Sequence, residues 1–175
     1  MRIPIESSTS YRGRNSRPNL PVLLLFVATA LGVGALGAVF SPGISAPAAQ
    51  WYAVLAKPAW LPPQQWFAPV WTATYALMGI AAWLIWGERY HRGRSAAIAA
   101  YAVQLILNAL WPPLFFGLKN IDAGLFDIVA LWLAVGWTLR EFARVRIAAA
   151  VTLAPYFLWV SLATAINLGI WKLNP

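Results

Sequence analysis

Three short stripes of side chains carry the chemistry this chain can do. Trp71, Tyr75 and Met78 recur at i, i+4 and i+7, Gln104, Asn108 and Trp111 repeat that spacing, and Trp159, Ala163 and Asn167 follow at four-residue steps. On helices these steps put each trio on one face. Indole and phenol rings offer apolar, electron-rich surfaces, the amides offer hydrogen bonds, and alanine leaves room. Brought together, such groups stack a planar lipophilic ligand and fix its orientation with a few polar contacts. The plainer alternative is packing alone, in which Gln104, Asn108 and Asn167 hydrogen-bond between helices at about 0.6 kcal/mol each.

Other chemistries lack their residues. The chain has no cysteine, so disulfides, thiolate metal sites and thiol catalysis are excluded. Its one histidine, His91, lies in the basic stretch Glu88 to Arg94, away from any position where it would ligate haem within a bundle. No paired carboxylates, metal-ligand cluster, nucleophilic triad or glycine-rich phosphate loop is present. Asp127 is an acid inside an apolar run, roughly one turn from its outer end. It is expected at the membrane interface, satisfied by water, with pairing to Lys119 or approach to a cavity as the alternatives.

The elements that must position these stripes follow from composition. Hydrophobic residues make up 61% and charged residues 10%, against about 25% charged in soluble domains. A membrane-spanning helix needs roughly 20 apolar residues. Such runs occur at about Leu20 to Phe40, Pro69 to Gly87, Ser95 to Gly117, Ala123 to Phe142 and Ile147 to Trp171. The expected fold is therefore an all-α integral membrane bundle of five transmembrane helices, one domain over 20–175, behind a polar basic tail over 1–19. The first apolar region is longer than the 7 to 15 residues of a signal peptide core and reads as a retained span.

The net charge of +8 follows the loops and forms no nucleic-acid face. Arg2, Arg12, Arg14 and Arg17 precede the first span, Arg89, Arg92 and Arg94 follow the second, and Arg140, Arg144 and Arg146 follow the fourth. By the positive-inside rule these segments face the cytoplasm of a bacterial plasma membrane, N-terminus included, and Lys57, Lys119 and Lys172 face outward. Of the eleven tryptophans, Trp132, Trp137 and Trp159 lie too deep in their runs for an interfacial belt, so at least some of these rings are expected to face helices or ligand. Gly32, Gly34 and Gly37 are expected to let the first helix approach its neighbours closely. Between Ser41 and Ala68 five prolines forbid one continuous helix, while Trp51, Tyr52, Trp60, Trp66 and Phe67 argue for order. This connection is expected to be a flap over the outer mouth of the bundle.

The stretch WYAVLAKPAWLPPQQWFAPVWTATYALMG resembles the hallmark of the tryptophan-rich sensory protein and translocator protein (TspO/MBR) family, and LNALWPPLFFGLKN and LAPYFLWVSLATAINLGIW are similar to its third-helix and fifth-helix motifs. The resemblance runs in order from Leu20 to Asn174. It implies a dimeric five-helix bundle that binds protoporphyrin IX or related tetrapyrroles, sterols and membrane lipid, without a required cofactor or metal. By position it places Trp51, Pro58 and Trp60 in the lid and Trp71, Tyr75, Asn108 and Trp159 along the cavity, with Ala163 and Asn167 further along the last helix. Lys57 is the expected charge partner of a porphyrin carboxylate, with the ring stacked between Trp71 and Trp159. Some bacterial members degrade porphyrin in light, and Trp71 and Trp159 match the tryptophans implicated. Transport of tetrapyrroles, lipids or sterols is the alternative activity. The sterol pattern that vertebrate members carry at the end of the fifth helix is missing there, since Tyr156 has no basic residue within five positions, although the same loose pattern occurs as Leu84, Tyr90 and Arg92.

Overall fold

The structure, a computed structural model, describes residues 20–175; the expected polar tail over 1–19 lies outside the described residues. Five helical segments, of 19, 23, 24, 25 and 27 residues, are long and apolar enough to cross a membrane. The elements are α1 (Leu20–Ala38), α2 (Ala46–Val54), α3 (Phe67–Trp86), α4 (Arg94–Pro112), α5 (Ile121–Val145) and α6 (Ile147–Leu173). A 3-10 turn, Gln64–Trp66, leads into α3, and a π turn, Pro113–Gly117, follows α4.

Local chemistry sets the boundaries. Helix α3 starts two residues before Pro69, which still lies in the first turn, where backbone N–H groups have no intrahelical acceptor. Pro112 and Pro113 do not stop α4 outright: the chain widens into the π turn, which brings Phe115 inward. Lys119, at φ 53°, then reverses the chain, and the Asn120 side chain caps α5 by accepting from the Ala123 N–H at 2.9 Å.

Lipid solvates apolar side chains as well as protein does, so the bundle holds through close packing and interhelical hydrogen bonds. Helix α6 packs on α3 and α5, α4 lies against α5, and α1 lies mainly against α3. Only Ala30 and Gly37 of α1 are buried. Its approach depends on glycines: Gly34 sits under the Tyr75 ring and Gly37 against Pro112, whereas Gly32 faces open space. The small-residue expectation therefore holds for two of its three positions. A fourth glycine, Gly79 on α3, lies directly against the backbone of Val27.

The loop arginines gather at one end. Glu141 accepts from Arg144 at 2.9 Å and Arg140 at 3.3 Å, and Arg146 reaches Glu88 at 3.1 Å. The aromatic-rich connection covers the other end as an ordered flap over 39–66. Within it, Ser45 caps α2, and Pro47 takes a first-turn position that needs no N–H acceptor. Trp51 and Tyr52 meet Phe115 and Phe116 edge to face at 5.3 and 5.7 Å between ring centroids.

Of the three deep tryptophans Trp159 is buried against α3, as expected of at least some of them, whereas Trp132 and Trp137 are outward-facing. The Trp132 indole stacks on Phe157 at 5.8 Å and donates to Ser161 Oγ at 2.9 Å, so its polar edge is satisfied on the lipid-facing surface. Asp127 is buried inside the bundle, with its Oδ2 lacking a hydrogen-bond partner, and makes no ion pair with Lys119 among the described residues. Position along the helix suggested the interface, but the helical face it occupies turns it inward.

Candidate functional site

The site lies under the flap, where two apolar clusters meet. The larger cluster joins α1, α3, α4, α5 and α6 around Met78, Tyr101, Leu131 and Tyr156. The smaller lies beneath the flap, around Phe115, Ile166 and Ile170, with Trp51, Phe67 and Trp111 packed on it. Between them stands an aromatic wall. Trp71 meets Tyr75 in a stacked contact at 5.7 Å and Tyr156 at 6.5 Å, and Phe67 meets the edge of Trp159 at 5.5 Å. Trp71 and Trp159 touch edge to face at 6.1 Å and 86°. The α3 and α6 stripes therefore converge, and their two indoles form one corner. The gap expected between the indoles for a planar ring is closed in this conformation.

Hydrogen bonds fix the wall from behind. Tyr75 donates its hydroxyl to Asn108 Oδ1, and Asn108 Nδ2 donates to the Tyr156 hydroxyl at 2.9 Å. One buried amide thus ties α3, α4 and α6 together and sets both tyrosines that support Trp71. This is the packing role considered for Asn108, performed by a residue behind the site.

The other polar positions behave differently. Gln104, fully buried one turn from Asn108, has no partner for either amide atom. Trp111 Nε1, Trp159 Nε1 and Asn167 Oδ1 are also buried without a partner, although Asn167 Nδ2 donates to Ala163 O at 3.1 Å. Most buried polar groups find a partner, and in hydrocarbon an orphan costs several kcal/mol, on the order of a lost hydrogen bond or more. These atoms mark where a bound molecule would gain hydrogen bonds. Ala163 is buried one turn beyond Trp159 and keeps that side of α6 low.

The lid residues divide. Trp51 points inward onto Phe115, and Pro58 is buried against Gly169. Trp60 is exposed and lies outside the wall. Lys57 folds back on the flap: its Nζ donates to Leu55 O at 2.9 Å and Ala53 O at 3.4 Å and lies 4.6 Å from the centre of the Tyr52 ring. Burial raises the Tyr52 phenol above its usual pKa, which keeps that ring neutral beneath the ammonium.

Phe67 and Tyr156 belong to the wall and extend stripes already visible in the sequence. Phe67 stands one turn before Trp71, and Tyr156 three residues before Trp159. The four-residue step that linked Trp71 to Tyr75 finds Phe67 when run backwards.

The profile of the TspO/MBR family matches residues 26–172. The chain is 40% identical over 154 residues to "Tryptophan-rich protein TspO" of Chlorobaculum tepidum, covering 87% of this chain and 96% of that protein. It is 40% identical over 151 residues to "Protein CrtK" of Rhodobacter capsulatus, covering 86% and 90% respectively. With "Translocator protein" of Sus scrofa it shares 34% identity over 159 residues, 90% of this chain and 92% of that protein.

Proposed function

The chain belongs to the TspO/MBR family, and from that premise we propose that it is a membrane sensor that binds tetrapyrroles, with protoporphyrin IX as the representative ligand. The observation that carries this reading is the aromatic corner of Trp71 and Trp159, flanked by the unpartnered buried atoms Trp159 Nε1 and Asn167 Oδ1. A porphyrin supplies what the corner lacks: a broad π surface for the rings and polar edge groups for the orphaned atoms. Its carboxylates lie toward the flap, where Lys57 exchanges carbonyl partners for an anion.

The same corner supports light-dependent degradation. An excited porphyrin takes one electron from the adjacent indole and passes it to dissolved oxygen, giving superoxide. The indole radical cation then recovers an electron from the porphyrin. The porphyrin radical cation so formed combines with superoxide, making the C–O bond from which the macrocycle opens. The flap retains the reactive products. No cofactor beyond the ligand is called for. The basic loop cluster supports an orientation with that end and the N-terminus in the cytoplasm of a bacterial inner membrane, and the family resemblance suggests a homodimer.

Absorbance titration of the purified protein with protoporphyrin IX in the dark, followed by illumination in air, tests both steps. A saturable shift in the porphyrin band is expected, then protein-dependent bleaching. The W159F variant, which keeps an aromatic ring but loses the indole N–H and the better electron donor, is expected to weaken dark binding by no more than about tenfold and, at saturating porphyrin, to bleach at least about tenfold more slowly, equivalent to about 1.4 kcal/mol in the barrier. Unchanged bleaching in W159F overturns the electron-transfer step. The absence of any saturable dark shift overturns the binding reading, and protein-dependent porphyrin flux across sealed vesicles would then favour transport.

A further inference from the structure

The end of α6 grips the flap at one residue. Asn174 Oδ1 accepts from the Ala56 N–H at 3.0 Å, while Asn174 Nδ2 donates to Ala56 O at 2.9 Å and to Ile170 O at 2.7 Å. The carboxamide thus imitates a peptide group and satisfies both backbone polar groups of a residue that belongs to no helix or strand. Ile170 O is one of the carbonyls a helix end leaves without an intrahelical partner, so the third bond anchors the amide where an acceptor is free. Two residues along the flap, Pro58 seats on Gly169, where a Cβ would lie 2.5 Å from Pro58 Cγ. The end of α6 and its C-cap residue therefore carry a socket and a clasp for the same piece of chain.

The remaining flap contacts are of another kind. Trp51 and Tyr52 meet Phe115 and Phe116 through ring edges, which slide without losing a directional bond. Lys57 bonds only within the flap, to Ala53 and Leu55. Apart from the bonds of Phe40 and Ser41 to the adjoining end of α1, directional bonds between flap and bundle are thus concentrated at Ala56, and breaking them loosens the segment that lies on Phe115, Phe116 and Gly169.

We propose that Asn174 is a positioning residue that latches the flap, and that its release sets how fast ligand enters and leaves the cavity. The kinetic half of this proposal rests on the ligand reading above; the latch itself does not. Two lost hydrogen bonds at a partly wet surface are expected to raise the open population about tenfold or more.

Hydrogen exchange of the full-length protein in lipid nanodiscs tests the latch without ligand. In N174A, amides over 50–60 are expected to exchange about tenfold faster, with protection in the five spans unchanged and no effect from the control L173A, altered at an exposed neighbouring position. Unchanged exchange in N174A overturns the latch. Stopped-flow mixing with protoporphyrin IX tests the gate: association and dissociation are both expected to rise about tenfold in N174A while Kd moves less than about threefold. Faster exchange with unchanged ligand rates overturns the gate. Because the chain has no cysteine, the A56C/N174C pair can also be joined by a short bifunctional thiosulfonate. The joined protein is expected to exclude porphyrin until reductant is added, and equally fast entry in the joined and reduced forms overturns the gate independently of N174A. Failure of the wild type to bind porphyrin would count against the proposed function, and the exchange experiment would still decide the latch.

Discussion

Replacing Gly79 by leucine is expected to detach α1 from the bundle, the largest loss of stability that one substitution in the spans should produce. A Cβ at this position would lie 2.5 Å from Val27 Cα and 2.8 Å from Val27 N. Those atoms are helix backbone, which cannot rotate aside as a side chain can, so the two helices must move apart. Overpacking a core usually costs about 1 to 3 kcal/mol, and separation of two backbones belongs at or above the top of that range. Water would penalise the apolar surface exposed by such a separation, but lipid solvates it, so close packing is the main term lost. Helix α1 has little else to hold it, since only Ala30 and Gly37 are buried. The Gly32→Leu variant is the matched control. Nothing lies within 4 Å of a Cβ there, and removal of a helical glycine favours the helix by about 0.5 to 1 kcal/mol. Denaturation in mixed detergent micelles should show G79L unfolding far below wild type and G32L at or above it. Equal midpoints for the two variants would refute this account of α1.

The contrast between these glycines shows what was legible in the sequence. Composition exposes five spans because bilayer thickness imposes a minimum apolar length, and the observed ends differ from the expected ones by only a few residues. The membership of each stripe was legible too, since helical spacing alone puts Trp71 with Tyr75, and Trp159 with Ala163 and Asn167, on one face. What a face meets is a different matter. Gly32, Gly34 and Gly37 form a visible series with one outward member, while Gly79 is isolated in sequence and acquires its role from Val27, more than fifty positions away. Asp127 and Trp132 show the same limit from opposite sides: depth in the membrane was readable, whereas inward or outward orientation depended on neighbouring helices. The prolines of the flap were read as helix breakers, yet Ser45 and Pro47 are the start signal of α2. The mutual contact of Trp71 and Trp159 depends on ring angles that no residue spacing encodes.

Asn108 provides the second large effect, and its sign can be reversed by further mutation. In N108L the Tyr75 hydroxyl loses its acceptor and the Tyr156 hydroxyl loses its donor, both inside the bundle. Interhelical hydrogen bonds in membranes contribute about 0.6 kcal/mol each and at most about 1.7. The loss of two, with two hydroxyls left buried, is expected to cost about 2 to 3 kcal/mol. The damage extends to the site, because Tyr75 stacks on Trp71 and Tyr156 meets its edge. Ligand affinity should therefore fall about tenfold or more although Asn108 lies behind the wall. Removing the orphans should repair stability: buried polar partners replaced together by apolar groups of similar shape cost little. The triple variant Y75F/N108L/Y156F is thus expected to be more stable than N108L, despite carrying two more substitutions. If the triple variant is the less stable of the two, the tyrosine hydroxyls contribute through something other than Asn108. If it is the more stable but binds ligand no better than N108L, the network's orientation of Trp71, as well as its energy, is what the site requires.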